Sequence, residues 1–179
     1  MRHMLEQNDT VTITITKKMK LEALYQEQKI VEQKKKSKKT LTLNKRMHFY
    51  GALGEIIVKT FFDMHEIPGD FAEYFDKHVS GDEYDFKHRE QTVDVKTSLG
   101  NSNLNGRCFV NHRQKDKKVD YYCFVKIDKE RQEANIMGVI SYEQFYRYAK
   151  YFDTPKMKSP AYGVLTDYLE PFRKFVYGI

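Results

Sequence analysis

The stretch Val93-Asp94-Val95-Lys96-Thr97-Ser98 opens with apolar and charged residues alternating at the two-residue period of a β-strand. On such a strand Asp94 and Lys96 share one face, while Val93 and Val95 take the other. Upstream, Tyr84-Asp85-Phe86 again sets one acid between apolar neighbours. Segments 83–87 and 92–97 therefore predict two strands, joined by His88-Arg89-Glu90-Gln91. That junction lacks the Gly or Asn of a tight primed turn, so its form stays open. If the strands pair antiparallel about a turn centred between Arg89 and Glu90, Asp85 falls opposite Asp94. Their Cβ atoms would then lie roughly 5 Å apart on one face. Two carboxylates so placed repel unless a cation lies between them. Mg²⁺ suits that position, because it takes oxygen ligands at about 2.0–2.1 Å and keeps several waters. Lys96, one pleat along, would stabilise charge developing on a phosphate or orient the attacking water.

The flanking segments supply the elements around this hairpin. Residues 50–65, YGALGEIIVKTFFDMH, predict a helix with Leu53, Ile56, Ile57, Thr60, Phe61 and Met64 along one face. Glu55 belongs to a second stripe with Val58 and Phe62, which implies burial on two sides. Gly51-x-x-Gly54 reads as a site of close packing against a neighbour, and the Ile67-Pro68-Gly69-Asp70 segment ends the helix. Residues 108–111 read as a short strand, and Tyr121–Ile127 as a central strand because the run is almost wholly apolar. Residues 135–140 predict another strand. Ser141-x-x-Gln144 is a capping-box pattern that opens a helix through SYEQFYRYAKYF. Near the start, TVTITIT at 10–16 predicts a strand with one buried face. Residues 17–39 carry Leu21, Leu24, Gln28 and Val31 at heptad-like spacing, and 163–178 close the core with mixed structure. These elements around one sheet indicate an α/β or α+β domain.

The helix bearing Glu55, the segment Gly81-Asp82-Glu83-Tyr84-Asp85-Phe86 and the element Val93-Asp94-Val95-Lys96-Thr97-Ser98 together resemble the PD-(D/E)xK nuclease superfamily, with its restriction-endonuclease-like fold. The likeness spans about residues 50–127. Tyr84 stands where the family's name has proline, and Asp94 fills the first position of the acid-x-Lys element. The order helix acid, strand acid, acid-x-Lys is also similar to that of Holliday-junction resolvases within the superfamily. The resemblance implies an α/β fold with a mixed central sheet flanked by helices. Residues 1–46 would form a basic N-terminal strand-helix extension, and 47–179 the nuclease-like domain. It further implies that Asp85 and Asp94 are metal ligands, that Lys96 is the catalytic lysine, and that Glu55 is a direct or outer ligand. The implied activity is Mg²⁺-dependent, endonucleolytic hydrolysis of DNA phosphodiester bonds, with Mn²⁺ able to substitute. A two-fold DNA substrate would favour a homodimer.

The totals are compatible with this chemistry. At 179 residues the chain is long enough for one domain with a real core. Hydrophobic content of 40% with 31% charged residues sets it apart from disordered chains. A formal net charge of +6 permits a nucleic-acid partner without requiring one. The strongest charge run, Lys34-Lys35-Lys36-Ser37-Lys38-Lys39, continues to Lys45 and Arg46. It reads either as a solvated helix end or as an arm contacting phosphates. His112, Gln114 and Lys115 are candidates for contact with the scissile phosphate or a base edge, against the plainer reading of a polar loop. Asp82 and Glu83 could assist the metal or simply open a strand.

Other classes find less support. Cys108 and Cys123 read as reduced thiols in a cytoplasmic protein, since no signal peptide or spanning segment of about 18–20 apolar residues precedes or follows them. With His112 they invite a zinc reading that no Cys-x-x-Cys or His-x-x-x-His spacing supports. No Gly-rich phosphate loop or nucleophile elbow occurs. Two alternatives to an enzyme stay open: a catalytically silent nucleic-acid-binding or protein-interaction module on the same fold, and a structural protein dimerising through residues 17–39.

Overall fold

The structure is a computed structural model that describes residues 10–36, 45–71, 84–100, 106–154 and 159–178, without the side chains of 33–36 and 45–47. In chain order its elements are β1 (Val11–Thr14), α1 (Lys17–Lys36), α2 (Lys45–Met64), β2 (Asp70–Phe71), β3 (Phe86–His88), β4 (Gln91–Leu99), β5 (Arg107–Asn111), β6 (Tyr121–Asp128), β7 (Glu133–Ser141), α3 (Tyr142–Tyr148), β8 (Lys150–Phe152), β9 (Ala161–Leu165) and α4 (Phe172–Tyr177). Short 3₁₀ turns follow β5 at His112–Gln114 and β9 at Thr166–Tyr168. Six strands form a mixed sheet in the order β1-β7-β6-β4-β3-β2, and three form a second sheet in the order β5-β9-β8. Within the larger sheet β4 and β6 run parallel and every other pairing is antiparallel. A parallel neighbour cannot be reached by a tight turn. Residues 100–120 make that crossover and carry β5 on the way.

Alternation along the strands separates two cores. Val93 and Val95 of β4, with Cys123, Val125 and Ile127 of β6, pack against Ala52, Leu53, Ile57, Val58, Phe61 and Phe62 of α2. On the other side, Tyr122 and Phe124 pack with Phe145 of α3, Val110 and Val164. Both faces of β6 are thus covered, which is why its sequence is almost continuously apolar. The first strand and helix share this core: β1 pairs with β7, and Met19 and Ala23 of α1 join the α2 side. Helix α1 buries a stripe other than the heptad-like one carrying its leucines. Met19, Ala23, Gln26 and Ile30 are buried, whereas Leu21 and Leu24 are exposed together with Tyr25. The small and medium residues fit the close approach to the sheet and α2, and the leucines are left on the outer side. Met64, placed on the inner face of α2 by its spacing, is likewise exposed.

One further boundary shifts. The helix after Ser141 stops at Tyr148, and 150–152 become the edge strand β8 on β9. Only the start of that helix behaves as its capping pattern implies, with the Ser141 hydroxyl accepting from the Gln144 N–H. The hairpin between β3 and β4 turns through Arg89 and Glu90, both at positive φ (49° and 63°). This left-handed pair is the geometry of a primed two-residue turn, reached here without Gly or Asn. The Arg89 guanidinium donates to the Tyr177 carbonyl at the end of α4, which helps to hold the turn. Beside it, the buried ring of His88 faces the carbonyl oxygens of Pro68 and Val176, each at 3.1 Å. Phe86 stacks on Phe71 and meets Phe62 edge-on.

Gly54 is where α2 comes closest to β4. A Cβ at this position would overlap the Thr97 hydroxyl, itself buried without a hydrogen-bond partner. Gly54→Ala is expected to lower unfolding free energy by about 1–3 kcal/mol, the range for overpacking a filled interface. Adding Thr97→Ala should recover about half of that loss, because neighbours in contact are coupled. Urea unfolding of the two variants tests this, and equal losses with and without Thr97→Ala would refute the close contact.

Candidate active site

The β3–β4 hairpin brings the predicted acids together. Its register pairs Phe86 with Val93, Lys87 with Thr92 and His88 with Gln91. One step further, the same register sets Asp85 across from Asp94. At this point the chain leaves the ladder: the Asp85 N–H donates to the Val93 carbonyl at 2.8 Å, and the Asp85 carboxylate accepts from the Val95 N–H at 2.6 Å. A side-chain oxygen thus takes the place of a ladder carbonyl, which fixes Asp85 beside Asp94 instead of leaving it at a frayed strand end.

Asp94 is 2% exposed, which is rare for an aspartate and costly unless cations accompany it. Two do. The Lys96 ammonium pairs with Oδ2, and the Lys117 ammonium donates to Oδ1 at 2.8 Å. The Oδ2 contact with Lys96 is an ion pair rather than a directed hydrogen bond, and Oδ2 has no hydrogen-bond partner. Lys96 also lies over the ring of Tyr122, with Nζ 5.9 Å from the centroid. Burial pushes the Asp94 carboxyl above its ordinary pKa of 3.8; the Lys96 charge opposes this, Asp85 adds to it, and Lys117 opposes it again. The buried phenol of Tyr122 is pushed up as well, first by desolvation and then by its bond to Tyr146.

Lys117 is the residue that sequence reasoning did not single out. It stands in Lys115-Asp116-Lys117-Lys118, which reads as a solvated loop, and nothing in the local pattern separates it from Lys118. The loop is pinned at both ends. The Tyr142 hydroxyl donates to the Lys115 carbonyl. The Asp120 carboxylate accepts from both the N–H and the hydroxyl of Thr92, each at 2.8 Å. Between these anchors lies a cleft of about 550 Å³ lined by Thr92, Asp116, Lys117, Lys118, Val119, Asp120 and Tyr142.

The remaining candidates divide by position. Glu55 is half-buried on α2 next to Gly54, at the level of Thr97 and on the helix that covers the face of β4 opposite Asp94. His112 and Gln114 form the 3₁₀ turn that leads into the Lys117 loop, and the His112 ring faces the Pro160 carbonyl at 3.2 Å. The Lys115 ammonium lies 5.9 Å from the Tyr162 ring centroid. Lys38, Lys39, Asp82 and Glu83 fall outside the described residues, as do the side chains of Lys34, Lys35, Lys36, Lys45 and Arg46. Cys123 is buried, and burial pushes the half-buried Cys108 thiol up to about 12, so both are poor nucleophiles at neutral pH.

Asp85 and Asp94 offer hard oxygen donors, one of them a buried oxygen lacking a directed bond. Among the described residues no group of three His, Cys, Asp or Glu side chains converges. Mg²⁺ needs only one or two carboxylates with waters and a substrate phosphate, so the pair fits that ion. Among the described residues no helix is long and apolar enough to cross a membrane. No protein-family model matches the chain, and no curated protein matches it in sequence.

The raised pKa of Asp94 has a definite sign for stability. A carboxyl that holds its proton more tightly when folded contributes stability below its unfolded pKa, and that contribution is lost as pH rises through the folded value. In metal-free buffer, the stability of the native chain relative to Asp94→Asn should therefore shrink as pH rises from about 4. Thermal unfolding of both across pH 4–8 measures this; a gap that widens with pH would contradict a raised pKa.

Proposed function

We propose that this protein is a Mg²⁺-dependent deoxyribonuclease with a restriction-endonuclease-like core, cutting DNA endonucleolytically. The observation that carries the reading is the buried Asp94, with Asp85 across the hairpin and Lys96 one pleat along. The antiparallel β3–β4 hairpin, the parallel β6 beside it and α2 across one face support the fold assignment. In this reading Asp85 and Asp94 hold the cation, and Glu55, on the helix that covers the opposite face of β4, is left out of its direct shell. The bound ion would lower the pKa of a water and offset charge on the phosphate. Lys96 then has one task, to orient the attacking water or neutralise charge developing on the phosphate. Lys34, Lys35, Lys36, Lys38, Lys39, Lys45 and Arg46 would supply phosphate contacts that carry affinity without sequence information, with His112, Gln114 and Lys115 nearer the cut bond.

A second reading has its own support. The charge of Asp94 is already balanced by Lys96 and Lys117, as in an ion-pair set that serves only folding. On that view the protein is a silent nucleic-acid-binding module.

Incubating the purified chain with plasmid, linear, single-stranded and four-way-junction DNA, in Mg²⁺, Mn²⁺ or EDTA, separates the two. The enzyme should cleave only with metal, and Asp94→Ala, Asp85→Ala and Lys96→Ala should each lose about 10²-fold or more. Salt-sensitive DNA binding with no cleavage in either metal would leave the silent module.

A further inference from the structure

We propose that Lys117 is an internal counter-ion that occupies the cation position at Asp94 and must swing out when a divalent ion binds. The inference rests on the metal-binding reading above. Its geometric basis is the bond from Lys117 to Asp94 Oδ1 at 2.8 Å, made by a side chain that also lines the adjoining cleft. Lys96 is the less exchangeable cation, because it grows from the same strand as Asp94, two residues away, and does not line the adjoining cleft. Lys117 comes from a separate loop, and its ammonium has an open cleft of about 550 Å³ to enter.

Charge balance points the same way. Counted as formal charges, the two acids Asp85 and Asp94 are matched by the two lysines at Asp94, Lys96 and Lys117. A divalent ion added to that set would leave two uncompensated positive charges around a carboxylate that is 2% exposed. Release of one ammonium into the cleft halves the excess and frees Oδ1 for the ion. The anchors at Lys115 and Asp120 keep the loop backbone in place, so the exchange needs only rotation of the Lys117 side chain. Once displaced, Lys117 stands beside Lys118 in the cleft, where an anionic substrate could meet both. Apo protein is thereby protected from the repulsion between its two acids, and metal binding is linked to the presentation of a basic side chain.

The test uses the full chain at pH 8 with Mn²⁺ alone as the probe. Calorimetry should give Lys117→Met an affinity for Mn²⁺ about 5-fold or more above that of the native chain, within the usual range of coupling between sites. Lys118→Met should leave the affinity unchanged. The native chain gives a readout that needs no variant: acetylation of Lys117 by an amine-reactive ester, followed by mass spectrometry, should be slow in EDTA and severalfold faster at saturating Mn²⁺, with Lys118 equally labelled in both. Unchanged Lys117 labelling while calorimetry records Mn²⁺ bound, or a Lys117→Met affinity equal to or below the native one, overturns the counter-ion role and leaves the metal site standing. Failure of any form to bind Mn²⁺ overturns both. Asp94→Ala, which should bind none, assigns the recorded binding to this site.

Discussion

A carboxylate almost completely removed from water, held between two lysines, is the interaction on which the rest of this structure depends. Burying one ionised aspartate alone would cost several kcal/mol, and the cost is offset only by cations at contact distance. Asp94 obtains them from two sources of different character. Lys96 is delivered automatically by the two-residue period of its own strand. Lys117 has to be carried in by a loop whose ends are tied to Tyr142 and Thr92. The paired cluster that results is what lets an acid stay buried at this position.

The position of Asp85 depends on features far from it in sequence. The hairpin needs two non-glycine residues in left-handed conformations, a strain that would ordinarily disfavour this register. The C-terminal helix helps to hold it: Arg89 is bonded to the Tyr177 carbonyl, and His88 sits between carbonyls of Pro68 and Val176. Packing of Phe86 between Phe62 and Phe71 secures the other side. The last helix of the chain is thus part of the scaffold that aligns the two acids, although it contributes no side chain to them.

Asp94 and Lys96 on one strand face, the register placing Asp85 across from them, the buried central strand at 121–128 and the close approach at Gly54 were all legible in the sequence. Each depends on local periodicity or on a turn between neighbours, and such relations are written into adjacent residues. Other features were not. The leucines of α1 mark an amphipathic stripe, yet the helix buries the stripe of Met19, Ala23, Gln26 and Ile30, since the partner surface selects for fit as well as hydrophobicity. The pattern SYEQFYRYAKYF promises one helix, but pairing with β9 takes its last residues into a strand.

By itself, then, the sequence determined the chemical vocabulary of this protein: two acids and a lysine in strand period, and a helix and an apolar strand to hold them. The tertiary structure alone decided that Asp94 is buried, that its second cation is Lys117 and that Glu55 lies on the helix across the sheet. The physical reason is range. Strand alternation acts over two residues, whereas the Lys117–Asp94 pair joins residues 23 apart through a parallel crossover, and no local pattern distinguishes the one loop lysine that closes it.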